Sequence, residues 1–222
     1  MSSRQFAFLS NYAIYSAMFV YTIAFFSHAV EVAFSVRNSG ESTKFDFAKT
    51  DKFGRIGTAM MILAQILLTS GVILRGVSAH RAPWGNMYEF SITGAMAFSL
   101  AYLVALTKFK IRWLGLPVSI SVLLTLGTAV AILYRPSAPL VPALKSTWLI
   151  IHVSAAIISG GVFLLANTIA ATYLFLDRME SRGERNDWAK KLPSLEYLDQ
   201  LSYRLVAFVF PLWTFAVIAG AI

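Results

Sequence analysis

Three histidines, His28, His80 and His152, are the side chains of this sequence best suited to bind a metal or carry a proton. The chain has no Cys, which excludes disulfides, thiol redox chemistry and Cys-ligated metals. The sequence also contains no phosphate-binding P-loop, no GxGxxG and no His-Glu-x-x-His motif. Candidate metal chemistry therefore centres on histidine.

His152 is predicted to lie near the start of a long apolar helix. Trp148 precedes it by one turn, and Ala156, Ser159 and Gly160 follow at helical spacing, so small residues line the face below the imidazole. Such a face could admit a flat macrocycle. It could equally serve close helix packing, because Ala156 and Gly160 form a small-xxx-small pair. Ionisable side chains within a bilayer are functional candidates, so His152 is predicted to bind a ligand or handle protons.

The other two histidines allow less definite interpretations. His28 has Glu31 at i+3, and the two can share a helix face. They could form a heme or proton site, or a polar pair that reaches toward lipid headgroups. His80 lies beside Arg81 and near Pro83 in a predicted loop, and we interpret it as an ordinary loop residue.

The segment from residue 82 to residue 90 combines turn formers with aromatic and polar side chains. Asn86 is predicted to cap the following helix, with Glu89 at the third position as in a capping box. Trp84 and Tyr88 suit a membrane interface. Because so many aromatic and polar groups lie in one short segment, a ligand-facing surface that includes these four residues is an equally good interpretation.

The elements that position these residues are predicted to be transmembrane helices. The chain has 222 residues, of which 57% are hydrophobic and 14% charged. Its apolar runs are continuous rather than alternating, and each is near the roughly 20 residues that a helix needs to cross a bilayer. The sequence thus predicts an all-α integral membrane protein, with residues 1–222 as a single polytopic domain of about six helices near Phe6–Phe34, Ile56–Leu74, Tyr88–Thr107, Trp113–Tyr134, Thr147–Leu176 and Leu205–Ile222.

The distribution of Lys and Arg predicts the orientation. All but five of the 19 lie in the loops after the first, third and fifth predicted helices; the others are Arg4, Arg75, Arg81, Arg135 and Lys145. The positive-inside rule places the richer loops in the cytoplasm and the N-terminus outside. The net charge of +8 then follows from topology, so no nucleic acid partner is needed. We expect residues 177–200 to form a mixed-charge cytoplasmic loop that is helical in part.

This orientation separates two of the histidines. His28 is predicted near the cytoplasmic face and His152 near the outer face, about 20 Å or more apart in depth. Two such residues cannot ligate the same iron, which argues against a simple b-type cytochrome.

Three segments in order resemble one protein family. Pro83–Phe90 resembles the Pro-x-x-Asn-x-Tyr-Glu signature of the CcsA/ResC heme-handling proteins of System II cytochrome c biogenesis, in the actinobacterial CcsB-type form. Thr147–Ser154 resembles the outer-face histidine segment of that family. Leu201–Thr214 resembles the helix that leads to its Trp-rich heme motif. The resemblance spans essentially the whole chain.

The resemblance implies a function. The chain would hold or export heme b at the outer face of a bacterial plasma membrane. With a ResB-type membrane partner it would attach heme covalently to apocytochrome c. His152 would then be an axial ligand to the heme iron, as one of two outer histidines.

The Trp-rich motif and the second outer histidine of the family do not occur in these 222 residues. Both are expected just beyond Ile222, so the single membrane domain is expected to be incomplete at its C-terminus.

Two other functions remain open at this stage. A non-catalytic membrane scaffold would bind a partner through the Gly- and Ala-rich faces of the second and fifth helices, and would bind no heme. A small-solute or quinol-binding permease would favour broken helices, for which Pro117 and Pro211 are weak indications. The sequence shows no nucleophile or acid–base pair, so any enzymatic role would be as part of a cytochrome c synthase of the heme lyase type.

Overall fold

The computed structural model describes residues 2–37, 47–136, 147–183, 189 and 192–221, and every regular element in these ranges is helical. The prediction of an all-α protein is therefore confirmed. A short 3₁₀ helix, Arg112–Leu114, precedes the fourth of six long helices. The six are α1 (Ser3–Arg37), α2 (Phe47–Ala79), α3 (Met87–Leu106), α4 (Gly115–Ala131), α5 (Thr147–Ser181) and α6 (Leu195–Gly220).

All six helices are long and apolar enough to cross a membrane. Side chains on their inner faces form one buried core, which includes Tyr21, Leu68, Phe98, Leu126 and Ile169. Their outer faces remain apolar, as expected for surfaces that contact lipid. The chain is thus a multi-pass membrane protein, as the sequence predicted.

The helices pack mainly as two antiparallel pairs, α1 with α2 and α5 with α6, joined by contacts of α3 and α4. Small residues allow the close approaches. A Cβ added at Gly161 of α5 would lie 2.8 Å from the backbone carbon of Ala97 in α3. The Ser10 hydroxyl of α1 donates to the Gly71 carbonyl of α2 over 2.7 Å. Buried polar contacts of this kind replace the hydrogen bonds that lipid cannot supply.

Four of the six helices are longer than the apolar runs that predicted them, whereas α3 has the predicted length and α4 is shorter. The sixth begins at Leu195, ten residues before Leu205, and its first turn is capped by Ser194, whose hydroxyl accepts from the Tyr197 N–H over 3.3 Å. Hydropathy marks the part of a helix that contacts lipid, whereas polar residues can continue the same helix in water. The segment 177–200 is accordingly helical in part, as predicted, at 177–181 and from Leu195 onward. Glu184, Arg185, Lys190 and Lys191 lie outside the described residues.

The bundle has two ends, and contacts between helices identify them. Ser3 contacts His80, and Asn11 donates to Tyr134, so the start of α1, the turn after α2 and the residues after α4 share one end. The start of α5 lies there too, and we name it the His152 end. His28 lies at the opposite end, the His28 end, beside Thr168 in α5. Thr168 follows His152 by 16 residues, or about 24 Å of helix. The two histidines therefore lie at opposite ends of the bundle, as predicted; their distance in depth and the end that faces the cytoplasm stay predictions.

Candidate functional site

The imidazole of His152 is oriented by the last turns of α6. Its Nδ1 lies 2.7 Å from the Ala216 carbonyl oxygen. A carbonyl can only accept, so Nδ1 carries the proton and donates, and in this neutral tautomer Nε2 is the unprotonated nitrogen with a lone pair. Proteins use this N–H to carbonyl bond to orient histidines that bind metals. The geometry therefore fits axial ligation of an iron by Nε2.

Two further contacts with α6 fix this part of α5. The Trp148 indole N–H donates to the Ala219 carbonyl over 2.8 Å, and its ring packs edge-on against Phe215 with centroids 6.3 Å apart. A Cβ added at Gly220 would lie 2.5 Å from Cε1 of His152. The imidazole therefore occupies space that only glycine leaves open, and Gly220 is a positioning residue that the sequence did not reveal.

The small residues below His152 divide between two roles. Ala155 and Ser159 are buried, whereas a Cβ added at Gly160 would meet nothing within 4 Å. The close packing of α5 on α3 is made by the next residue, Gly161, and not by the predicted Ala156–Gly160 pair. Gly160 is exposed, so the space beside it opens to the surroundings of the bundle, and the predicted ligand-facing groove stays a prediction.

Asn86 and Glu89 organise the start of α3. Asn86 is the N-cap, and its side-chain oxygen accepts from the Glu89 N–H over 2.9 Å, as predicted. The return bond differs from a capping box, because the Glu89 carboxylate accepts from the Gly85 N–H over 2.9 Å. The same carboxylate pairs with Arg75 Nε at 3.1 Å and with Arg81 Nη1 at 2.6 Å. The sequence predicted the cap but missed both arginines.

Tyr88 and Trp84 flank this ion cluster along the chain. Tyr88 is fully buried, with the Arg75 guanidinium 5.1 Å from its ring centroid, a cation–π contact. Arg75 also donates to the Arg135 carbonyl, which joins the residues after α4 to the same cluster. Trp84 is half-buried in the turn. These contacts give Tyr88 and Glu89 structural roles, while a ligand-facing role for the segment remains a prediction.

His80 ends α2. Its φ of 51° is left-handed, a conformation that histidine adopts more readily than most residues. The Arg81 N–H donates to the Gly76 carbonyl and the His80 N–H to the Val77 carbonyl, the two bonds of a Schellman motif. The interpretation of His80 as a loop residue thus acquires a specific structural basis.

The side chain of His28 is only 1% exposed. The alternative in which His28 reaches toward the lipid headgroups is therefore wrong. Its Nδ1 lies 3.1 Å from a carboxylate oxygen of Glu31, and Arg112 Nε donates to the other oxygen over 3.1 Å. Arg112 also pairs with Asp51 at 2.8 Å. The predicted His28–Glu31 pair is therefore part of a longer network that the sequence did not reveal.

A cavity of about 1110 Å³ lies beside this network. Residues of α1 to α5 line it, with the residues that join α3 to α4 and with Leu192. Cavities of this size and apolar character are typical of small-molecule sites. No sequence pattern could reveal it, because it forms only where these separate elements meet.

A family model described as Cytochrome C assembly protein matches residues 84–222, from the turn before α3 to the end of α6. The match covers more than half of the chain and includes His152. The chain belongs to the cytochrome c assembly protein family. The predicted resemblance is confirmed at this level.

Curated relatives agree with that assignment. This member of the family is similar to the cytochrome c biogenesis protein CcsA of Guillardia theta, with 32% identity over 79% of this chain and 64% of the relative. The CcsA proteins of Mesostigma viride and Prochlorococcus marinus are 30% and 28% identical, over 79% and 74% of this chain and 65% and 61% of the relatives. The chain therefore spans slightly less than two thirds of the length of these relatives.

Proposed function

We propose that this protein acts in cytochrome c maturation by holding heme b at the outer membrane face for covalent attachment to apocytochrome c. The observation that carries the proposal is the bond from His152 Nδ1 to the Ala216 carbonyl, because it leaves Nε2 free to bind iron. Family membership supports the same function, since the curated relatives are named for cytochrome c biogenesis.

Heme is cargo in this proposal, and axial imidazole ligation is the means by which a protein holds it and tunes its potential. His152 supplies the imidazole, and Trp148 and Gly220 fix the position of the ring. The open space beside Gly160 offers room next to this face of α5. The described residues supply no evident nucleophile, so their contribution to attachment is to position the heme relative to the thiols of the acceptor. A ResB-type membrane partner completes the proposed synthase.

The proposed orientation follows from charge. The His152 end lies outside, because the loops richest in Lys and Arg belong to the His28 end. Heme bound by His152 is then on the side where apocytochrome c is matured. The bilayer in question is proposed to be a bacterial plasma membrane.

Replacing His152 by Ala in the natural gene is expected to abolish, or reduce at least tenfold, the yield of holocytochrome c, measured by heme staining of cell membranes. His80→Ala is the matched control, because His80 lies at the same end, where it ends α2 and contacts Ser3, and makes no contact with the His152 site. It should leave the yield within about twofold. Normal yield from the His152→Ala strain at equal protein level would contradict the proposal and favour a scaffold role.

A further inference from the structure

The cavity at the His28 end is unlike the His152 site, because charged groups surround an apolar interior. Its walls include Ile62, Leu106, Phe109, Leu116 and Phe175. Lys110, Arg112 and Arg55 also line it. An apolar cavity with charged groups on its lining is suited to an amphiphile, whose body avoids water while its head seeks a charge.

Two residues of this lining carry a buried polar atom that has no hydrogen-bond partner among the described residues, namely Nε1 of Trp113 and Nε2 of His28. The indole N–H can only donate, so it requires an acceptor oxygen. His28 Nδ1 is engaged with Glu31, so Nε2 is the ring atom that has no partner. Buried polar atoms are nearly always satisfied in native proteins. Two such atoms on residues of one cavity lining therefore favour a ligand with an oxygen-rich head.

The charges favour an anionic head. Arg55 and Arg112 are paired with carboxylates, Arg112 with both Glu31 and Asp51. Lys110 is exposed and forms no ion pair within four ångströms among the described residues. Three cations of the lining are thus balanced by two carboxylates, Glu31 and Asp51, which leaves one positive charge in excess, at Lys110, in the lining that also includes Trp113.

We propose that this cavity binds an amphiphile through a carboxylate or phosphate head placed at Lys110 and Trp113 Nε1, with its apolar body among the aromatic and aliphatic walls. Two sources share this chemistry: an anionic phospholipid of the surrounding leaflet, and heme, whose two propionates are carboxylates. The inference does not depend on the proposed role of His152, because none of the cavity residues contacts that site.

Native mass spectrometry of the detergent-purified protein tests the proposal. The protein is incubated separately with phosphatidylglycerol, with phosphatidylcholine of the same acyl chains, and with ferric heme b. The heme arm uses the His152→Ala background, so that ligation at the other end contributes nothing. Heme retained by the His152→Ala protein reports on this cavity alone. The role of His152 in heme binding is tested separately, by comparing the wild-type protein with His152→Ala.

Lys110→Gln and Trp113→Phe are each expected to reduce retention of phosphatidylglycerol or heme about three- to tenfold, as for the loss of one hydrogen bond or charge contact. Trp113→Phe keeps an aromatic ring and removes the N–H donor. Lys108→Gln is the matched control, because Lys108 is exposed in the same connection but does not line the cavity.

Retention of phosphatidylglycerol would identify the ligand as a lipid of the surrounding bilayer, and retention of heme would identify it as the cargo, heme. Equal retention by Lys110→Gln and Lys108→Gln would overturn the proposal. Equal retention of the two lipids, with no heme bound, would also overturn it, since the head charge would then play no part.

Discussion

At the scale of single residues, the sequence identifies His152 as a candidate but cannot show what orients it. Its partner, the Ala216 carbonyl, lies 64 residues later and is a backbone group, so no side-chain pattern marks the contact. The role of Gly220 could not be predicted from the sequence either, because it depends on the imidazole that occupies the space beside this glycine. Asn86 is the opposite case, because a helix cap is a local interaction and was predictable.

Gly220→Ala is expected to displace the His152 ring, since the new methyl group would lie 2.5 Å from Cε1. The heme-dependent absorption of the purified protein should shift or weaken, while the melting temperature changes little because the ring can move. Gly127→Ala, in α4, is the control and should leave the spectrum unaltered, because a Cβ there meets nothing within 4 Å and α4 does not carry His152. Identical spectra for both variants would show that ring position does not govern heme binding.

At the scale of elements, the sequence predicts the number and order of helices well and their ends poorly. Six continuous apolar runs require six helices in a bilayer, because backbone polar groups must be satisfied internally. The ends of the helices depend on capping and on contacts in water. Ser194 and His80 determine such ends, and neither lies within a predicted apolar run.

The turn before α3 provides a prediction at this scale, since Glu89 connects α2, the turn and α3. Glu89→Gln removes the negative charge opposite Arg75, whose side chain is fully buried, and is expected to lower the free energy of unfolding by about 3–5 kcal/mol. Thermal denaturation in detergent measures the change. Glu196→Gln, at an exposed carboxylate in the first turn of α6, should cost less than about 1 kcal/mol. Equal loss in both variants would contradict a central role for the Glu89 ion cluster.

At the scale of the whole molecule, the structure separates two candidate sites that the sequence placed at different depths. Hydropathy and charge were sufficient to predict six spans and to place His28 and His152 at opposite ends. The cavity at the His28 end was not predictable, because separate helices and connecting segments meet there and no local pattern records their packing. The assignment of the two ends to the cytoplasmic and outer sides of the membrane still rests on the distribution of Lys and Arg alone.

The absence of Cys makes that orientation directly measurable, because single Cys substitutions introduce the only thiol. Ser2→Cys is expected to react with a membrane-impermeant maleimide in intact cells. Ser181→Cys, at the end of α5, should react only after the membrane is permeabilised. Both positions are exposed. The reverse pattern would place the His152 end in the cytoplasm and remove it from the side of cytochrome c maturation.

Ligation of heme by His152 is tested most directly by the absorption spectrum of the purified protein with bound heme. The spectrum is recorded for His152→Ala with and without added imidazole. We predict that heme content falls and the Soret band shifts in the variant, and that free imidazole restores both by occupying the position of the missing ring. Unchanged heme content and an unchanged Soret band in His152→Ala, without imidazole, would contradict ligation by His152.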